Sequence, residues 1–153
     1  MKRVFAVVLA LTFLLSLAAC GSGSTAATDT ASGKGYTVKI VAVHKTVDSY
    51  GAPMAAVELE FTNENSDPVS LMFAASIEVF QNGKEMVADE MYLENDFDWD
   101  SFDTQIKDGA TITAFVPKPL DNAEDPVEVK VGLFDPSSHF GIATAQVEMN
   151  LVD

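Results

Sequence analysis

Short runs in which every second residue is apolar recur along the chain after about residue 36. The clearest run covers residues 127–133, where valine and leucine alternate with charged residues or glycine. Residues 55–62 and 144–151 repeat the pattern. Because successive side chains of a strand point to opposite faces of its sheet, a period of two predicts half-buried β-strands. No segment shows a comparable helical period.

Three further runs, at residues 36–47, 71–81 and 111–116, are predicted as strands. The run at 71–81 leads into Asn82-Gly83, a pair that favours the two-residue turn of a β-hairpin. Pairs and clusters of turn-forming residues separate the runs. Six or seven short strands, each apolar on one side, predict an all-β domain at residues 35–153 built as a two-sheet sandwich. The core is expected to include Val57, Leu59, Phe61, Val129, Val131, Val147 and Met149.

The first nineteen residues have the features of a secretory signal peptide. A basic start, Lys2-Arg3, precedes an apolar run at 4–17 that is too short to cross about 30 Å of hydrocarbon comfortably as a helix. The run ends in Leu17-Ala18-Ala19-Cys20. Small residues directly before a cysteine resemble the lipobox of bacterial lipoproteins. The resemblance implies cleavage before Cys20, a diacylglyceryl thioether on its sulfur, and acylation of the new amine.

The location expected from this resemblance is the extracytoplasmic face of the cell membrane, with the lipid on Cys20 as the anchor. Each buried methylene contributes about 0.8 kcal/mol, so two or three acyl chains hold a protein at the bilayer essentially permanently. Cys20 is the single cysteine, which excludes an intramolecular disulfide. Residues 21–34 contain no large apolar side chain, and the segment 20–34 is therefore predicted to be a lipidated cysteine followed by a flexible linker.

The charge of the chain narrows the classes of partner. The formal net charge of −14 becomes −16 once Lys2 and Arg3 are removed with the signal peptide. A surface with this much negative charge repels phosphate groups, and nucleic acid is therefore not an expected partner. For the same reason, contact with the membrane is expected to come from the lipid anchor.

Several short motifs of the domain resemble a known family. Phe61-Thr62-Asn63 ends one predicted strand, Ser70 and Phe73 follow an Asp-Pro turn, and Gln81-Asn82-Gly83 forms the predicted hairpin. Together they resemble a domain of unknown function found in lipoproteins of Gram-positive bacteria, particularly gut Firmicutes. That family is similar to extracellular immunoglobulin-like sandwiches such as a secreted mycobacterial antigen. The resemblance covers most of residues 36–153 and implies an immunoglobulin-like sandwich outside the cell, with no reaction or catalytic residue to carry over.

The insert near residue 97 departs from the family pattern. Residues 85–103 carry eight carboxylates without one Lys or Arg, and the centre, at 96–103, interleaves acidic residues with aromatic ones. One interpretation is a solvated acidic loop whose aromatic side chains cap the sandwich. A second is that Phe97, Trp99 and Phe102 contact a protein or peptide partner, because aromatic residues dominate binding hot spots.

A third interpretation of the same insert is a cation site at residues 89–103, with the domain acting as a Ca²⁺-binding accessory module. Its candidate ligands are Asp96, Asp98, Asp100 and Asp103. In an extended chain the carboxylates on one face would lie about 6.6 Å apart, whereas Ca²⁺ takes oxygen ligands at about 2.4 Å. The loop would therefore have to curl inward to hold an ion.

Candidate catalytic residues are few, and the chain is not predicted to be an enzyme. His44 and His139 lack the spacing of a metal pair, and Ser137-Ser138-His139 is predicted to be a turn after Asp135-Pro136. No strained nucleophile elbow is present in the sequence. A small extracellular hydrolase is the weakest alternative, and no cofactor is expected beside the lipid. The favoured prediction is a tethered module that binds a protein or peptide.

Overall fold

A computed structural model describes residues 27–87, 93–94 and 96–153. The predicted signal peptide, Cys20 and residues 21–26 lie outside the described residues. The described residues form eight β-strands, one short α-helix and one 3-10 helix, with the following bounds: β1 Thr30–Gly33, β2 Tyr36–Val47, β3 Pro53–Asn63, α1 Leu71–Ala74, β4 Ala75–Gln81, β5 Lys84–Glu85, the 3-10 helix Trp99–Phe102, β6 Ala110–Pro119, β7 Val127–Phe134 and β8 Gly141–Met149. Within this part of the chain, no helix has the length and apolar character to cross a membrane.

The strands make two antiparallel sheets, ordered β1-β2-β3-β6 and β5-β4-β7-β8. We call them sheet 1 and sheet 2. Their inner faces bury one hydrophobic core that takes residues from both sheets. The all-β, two-sheet sandwich predicted from the sequence is confirmed.

The period-two segments behave as predicted, since β7 alternates buried and half-buried residues along its whole length. Five members of the expected core are buried, namely Val57, Leu59, Phe61, Val129 and Val131. Val147 and Met149 are only partly buried and pack against the margin of the core. The prediction is wrong for these two because β8 is an edge strand of sheet 2.

The run at residues 71–81 is not one strand. It begins as α1, where Leu71 and Ala74 are buried while Met72 and Phe73 point outward. Buried residues three apart fit one helical turn, and a short apolar run does not distinguish helix from strand by its period alone. Ala75 ends the helix by donating its N–H to the Leu71 carbonyl and starts β4. The predicted hairpin at Asn82-Gly83 is confirmed, with φ of 52° and 78° at the two turn residues.

The domain begins earlier than residue 35, so the prediction of a flexible linker through residue 34 is wrong for residues 28–34. Strand β1 pairs with β2, and Ala31 is buried. Lys34-Gly35 makes the turn between them with φ of 48° and 77°. Small side chains suit this strand because it passes close to β8, where a Cβ on Gly33 would overlap the Ile142 side chain.

The segments just before β1 and just after β8 help to join the two sheets. Thr28 exchanges two backbone hydrogen bonds with Gln146 of β8, at 3.0 and 2.8 Å, just before the chain enters β1 of sheet 1. Beyond β8, Val152 lies parallel to β2 and bonds to the backbones of Val43 and Lys45 at 2.9 and 2.7 Å. The side where β8 approaches β2 is therefore closed by main-chain hydrogen bonds.

Candidate functional site

The acidic-aromatic insert connects β5 of sheet 2 to β6 of sheet 1, and its described part lies against the outer face of sheet 1. Leu93 forms an isolated antiparallel bridge with Asp48, at the end of β2. The Phe97 ring lies 5.5 Å from the His44 ring of β2 and 5.1 Å from the Phe115 ring of β6. The insert therefore contacts both β2, with the residue that follows it, and β6.

His44, Glu58 and Phe115 form the floor on which the insert rests. The His44 Nε2 atom lies 2.7 Å from Glu58 Oε2, and each of these side chains is 23 % exposed. Glu58 of β3 stands opposite Phe115 of β6 in the strand register. Ala56 shares this outward face by alternation and is nevertheless fully buried, so this part of the outer face is not open to solvent.

The 3-10 helix protects the free edge of sheet 1. Ser101 is buried, its hydroxyl donates to the Asp98 carbonyl, and the same oxygen accepts the backbone N–H of Phe115 at 3.0 Å. Phe115 lies in β6, the edge strand, whose outward N–H groups have no neighbouring strand. The Ser101 hydroxyl thus replaces a strand partner and fixes the helix beside β6.

Two of the three predicted contact aromatics come together. The rings of Phe97 and Trp99 lie 5.3 Å apart and tilted by 52°, and both side chains are half-buried. The Trp99 indole N–H donates to the Glu94 carbonyl at 2.7 Å. Phe102 instead packs against the hydrophobic core. The extended conformation considered for residues 96–100 is not adopted, because residues 96 and 97 lie in a turn and a bend and the 3-10 helix begins at Trp99.

The four carboxylates proposed as cation ligands are all exposed. Asp96 accepts a hydrogen bond of 3.5 Å from the Thr46 hydroxyl, and Asp103 accepts one of 3.5 Å from Ser70. Among the described residues, Asp98 and Asp100 have no side-chain hydrogen bond or ion pair. Nor does the described part of the chain bring three or more His, Cys, Asp or Glu side chains together in a group able to hold a metal ion.

An open cleft of about 250 Å³ lies on the insert and is lined by Phe97, Asp98, Trp99 and Asp100. Its walls are two aromatic rings, and its polar groups are two carboxylates. A larger cleft of about 350 Å³ lies on sheet 2 beside the Asn82-Gly83 turn. The insert cleft combines aromatic and acidic groups with rigid backing from sheet 1, so we take it as the candidate functional site.

The other residues considered for catalysis serve the structure of a turn. The Asp135 carboxylate accepts hydrogen bonds from Lys34 Nζ at 2.8 Å, from the Ser137 hydroxyl at 2.6 Å and from the Ser137 N–H at 2.9 Å. These bonds hold the pKa of Asp135 well below its usual range. His139 stacks on Phe134 with ring centres 6.5 Å apart. The predicted turn after Asp135-Pro136 is confirmed.

Three residues of the site were not predicted from the sequence, namely the floor residues Glu58 and Phe115 and the buried Ser101. One signal for Phe115 was available, since it is an aromatic residue on the face of its strand opposite to Ala114 and Val116. Such a residue on the outward face of a strand indicates that something covers that face. Neither Glu58 nor Ser101 stands out from the polar residues around it.

Comparison with known proteins supports the fold and a family. A family model described as "Domain of unknown function (DUF5067)" matches residues 22–132. The NMR structure of a protein from Enterococcus faecalis is similar, with 22 % sequence identity and a TM-score of 0.52, covering 80 % of this chain and 89 % of that one. Comparison with curated proteins gives no match. The resemblance to a domain of unknown function is thus confirmed, and its association with lipoproteins of Firmicutes stays a prediction.

Proposed function

This chain belongs to the DUF5067 family, and we propose that it is a lipoprotein anchored at the extracytoplasmic face of the membrane, where its sandwich binds a protein or peptide. The observation that carries the binding role is the insert cleft. Phe97 is backed by His44 and Phe115, so the aromatic surface is held rigidly on sheet 1. Rigid aromatic groups at a surface lose little side-chain entropy on binding, and this makes them effective anchors.

The membrane anchor is supported by the sequence before the domain. Leu17, Ala18 and Ala19 precede Cys20 as in a lipobox, and Thr28 already belongs to the fold. Eight residue steps separate Cys20 from Thr28, which limits the distance between the lipid and the sandwich to under about 30 Å. The binding surface would accordingly work close to the outer surface of the bilayer.

The anchor predicts a complete change of location in one variant. We expect the wild-type protein to partition into the detergent phase and Cys20→Ala to accumulate as a precursor or in the aqueous phase, because only the acylated sulfur and amine hold the chain. Ala19→Gly keeps a small residue before the cut and should still partition into detergent. Mass spectrometry that finds an unmodified Cys20 thiol in the native protein would contradict the anchor.

The binding role predicts contacts at the insert on living cells. A photoreactive phenylalanine analogue at Phe97 should give a discrete crosslinked species when intact cells are irradiated. Phe140 provides the matched control, since it is an aromatic residue that is 76 % exposed and lies in the β7–β8 connection, away from the insert. Crosslinks from position 140 alone, or from neither position, would contradict binding through the insert.

A further inference from the structure

We propose that the insert cleft receives a positively charged side chain, arginine or lysine, from the bound protein or peptide. The inference rests on the proposed binding function and adds the chemistry of the partner. Its basis is the pairing of aromatic walls with two carboxylates that have no partner among the described residues.

The aromatic walls of the cleft come from Phe97 and Trp99, and both side chains are half-buried. The Phe97 ring contacts the rings of Phe115 and Trp99, with ring centres 5.1 and 5.3 Å away. Because the Trp99 N–H is already bonded to the Glu94 carbonyl at 2.7 Å, the indole has no free donor for a ligand. What these two side chains leave for a ligand is their exposed aromatic surface, and the face of an aromatic ring attracts cations through the quadrupole of its π-system.

The carboxylates supply the opposite charge at the same place. Asp98 and Asp100 line the cleft together with Phe97 and Trp99. Residues 85–106 contain no Lys or Arg. In the described part of the chain Lys107, near the end of the connection to β6, makes no ion pair with Asp98 or Asp100, so neither charge is neutralised from within the insert. A guanidinium group suits this arrangement because it stacks on aromatic faces and also donates hydrogen bonds to carboxylates.

Other ligand classes fit these groups less well. A divalent cation such as Ca²⁺ takes six to eight oxygen ligands, and among the described residues no group of three or more candidate ligands converges. The hydroxyl groups of a sugar can donate to the carboxylates, but they carry no positive charge to offset the two negative charges. The cleft side chains offer acceptors only, since the one indole N–H is occupied. An organic cation uses both features of the cleft.

The test uses the full-length protein in a neutral detergent and a capped tri-arginine peptide as the probe, with a tri-citrulline peptide of equal size as the uncharged control. Trp99 is the single tryptophan, so its fluorescence reports on the cleft directly. We expect a saturable shift with tri-arginine and none with tri-citrulline. Asp98→Asn and Asp100→Asn should each weaken binding by about two- to fivefold, as expected for exposed charge contacts.

The matched control is Glu148→Gln, which removes one negative charge from β8 of sheet 2. It should leave the affinity for tri-arginine unchanged. Equal weakening by Glu148→Gln would show that the peptide responds to overall charge, and equal binding of tri-citrulline would show that charge is not recognised. A saturable fluorescence shift with millimolar Ca²⁺, lost in Asp98→Asn, would assign the carboxylates to a metal ion. Each of these results overturns the proposal.

Failure of this inference is distinguishable from failure of the proposed function. If tri-arginine gives no shift while the analogue at Phe97 still crosslinks on intact cells, the partner binds the insert by other chemistry. The inference that the cleft receives a cationic side chain is then wrong. If position 97 gives no crosslink either, binding through the insert is itself wrong.

Discussion

Leu59→Ala is expected to lower the free energy of unfolding by about 2–5 kcal/mol, the usual range for removing a buried leucine side chain from a packed core. Leu59 has no exposed surface and lies in β3, which is flanked by β2 and β6 in sheet 1. Its neighbours in the strand register are Ile40 and Ala114. Ala114 is too small to fill the space left by the leucine, so most of the cavity should persist.

Urea denaturation followed by Trp99 fluorescence measures this loss directly. Glu60→Ala is the matched control because Glu60 is the next residue of β3 and points to the opposite, exposed face. It should change stability by no more than about 0.5 kcal/mol. A loss below about 1 kcal/mol in Leu59→Ala would mean that the core closes around the cavity, which would contradict the expectation that Ala114 and Ile40 cannot fill it.

The strands could be predicted where one face of a sheet is buried and the other is exposed. In β7 this difference imposes strict alternation on the sequence, and the alternation identifies the strand. Strand β1 carries no such signal, because the close approach of β8 requires small side chains there. Lys34-Gly35 was missed for a related reason: lysine rarely takes a positive φ, whereas Asn82-Gly83 is a favoured pair for this turn.

The candidate site was predictable only in its local part. The interleaving of Phe97 and Trp99 with carboxylates is visible in the sequence, and the two rings do lie together. Its floor depends on contacts with β2, β3 and β6, and no local pattern encodes which distant residues will meet. Phe102 was grouped with the other aromatics because they are close in sequence, but the 3-10 helix directs it to the core.

Two residues of the motifs that resemble the family, Asn63 and Gln81, make buried hydrogen bonds that hold loops of the domain in place. Asn63 is buried and donates from Nδ2 to the carbonyls of Asp67 and Ile106, both at 3.0 Å. Its Oδ1 accepts the Asn65 N–H at 2.9 Å. These bonds connect the loop after β3 to the segment before β6 at one end of the sandwich. The motif is thus explained by folding, whereas the candidate site lies in the insert, which contains none of these motif residues.

At the other end of the sandwich, Gln81 holds a loop in the same way. Its replacement is the second change for which we expect a large loss of stability. Gln81 is fully buried. Its Nε2 donates to the carbonyls of Asn122 and Asp125, both at 3.0 Å, and its Oε1 accepts the N–H groups of Asp121 and Asn122 at 2.8 and 3.2 Å. One side chain therefore satisfies four backbone groups of the loop between β6 and β7.

Gln81→Leu should lower the free energy of unfolding by about 2–4 kcal/mol. It removes four hydrogen bonds of roughly 1 kcal/mol each, and buried groups left without partners add a cost that water entering the loop partly relieves. Gln105→Leu, the same change at an exposed glutamine, should alter stability by less than about 0.5 kcal/mol. A loss in Gln81→Leu as small as that of Gln105→Leu would show that the loop does not depend on these bonds.

Gln81→Glu separates the hydrogen bonds from the volume of the side chain, because glutamate has nearly the same shape. Its carboxylate would face the carbonyls of Asn122 and Asp125, which accept hydrogen bonds and repel the negative charge. The N–H groups of Asp121 and Asn122 would favour the charged form at one oxygen, but burial and the two carbonyls that face the other oxygen oppose it. We expect the net effect to raise the pKa of the new carboxyl above its unfolded value of about 4.3, so the variant loses stability relative to wild type as the pH rises above that value. Protonation at pH 4 restores one donor and should recover part of the loss. Urea denaturation of both proteins at pH 4 and pH 7 gives the comparison, and a deficit that is equal at the two pH values would show that the carbonyls do not face this side chain.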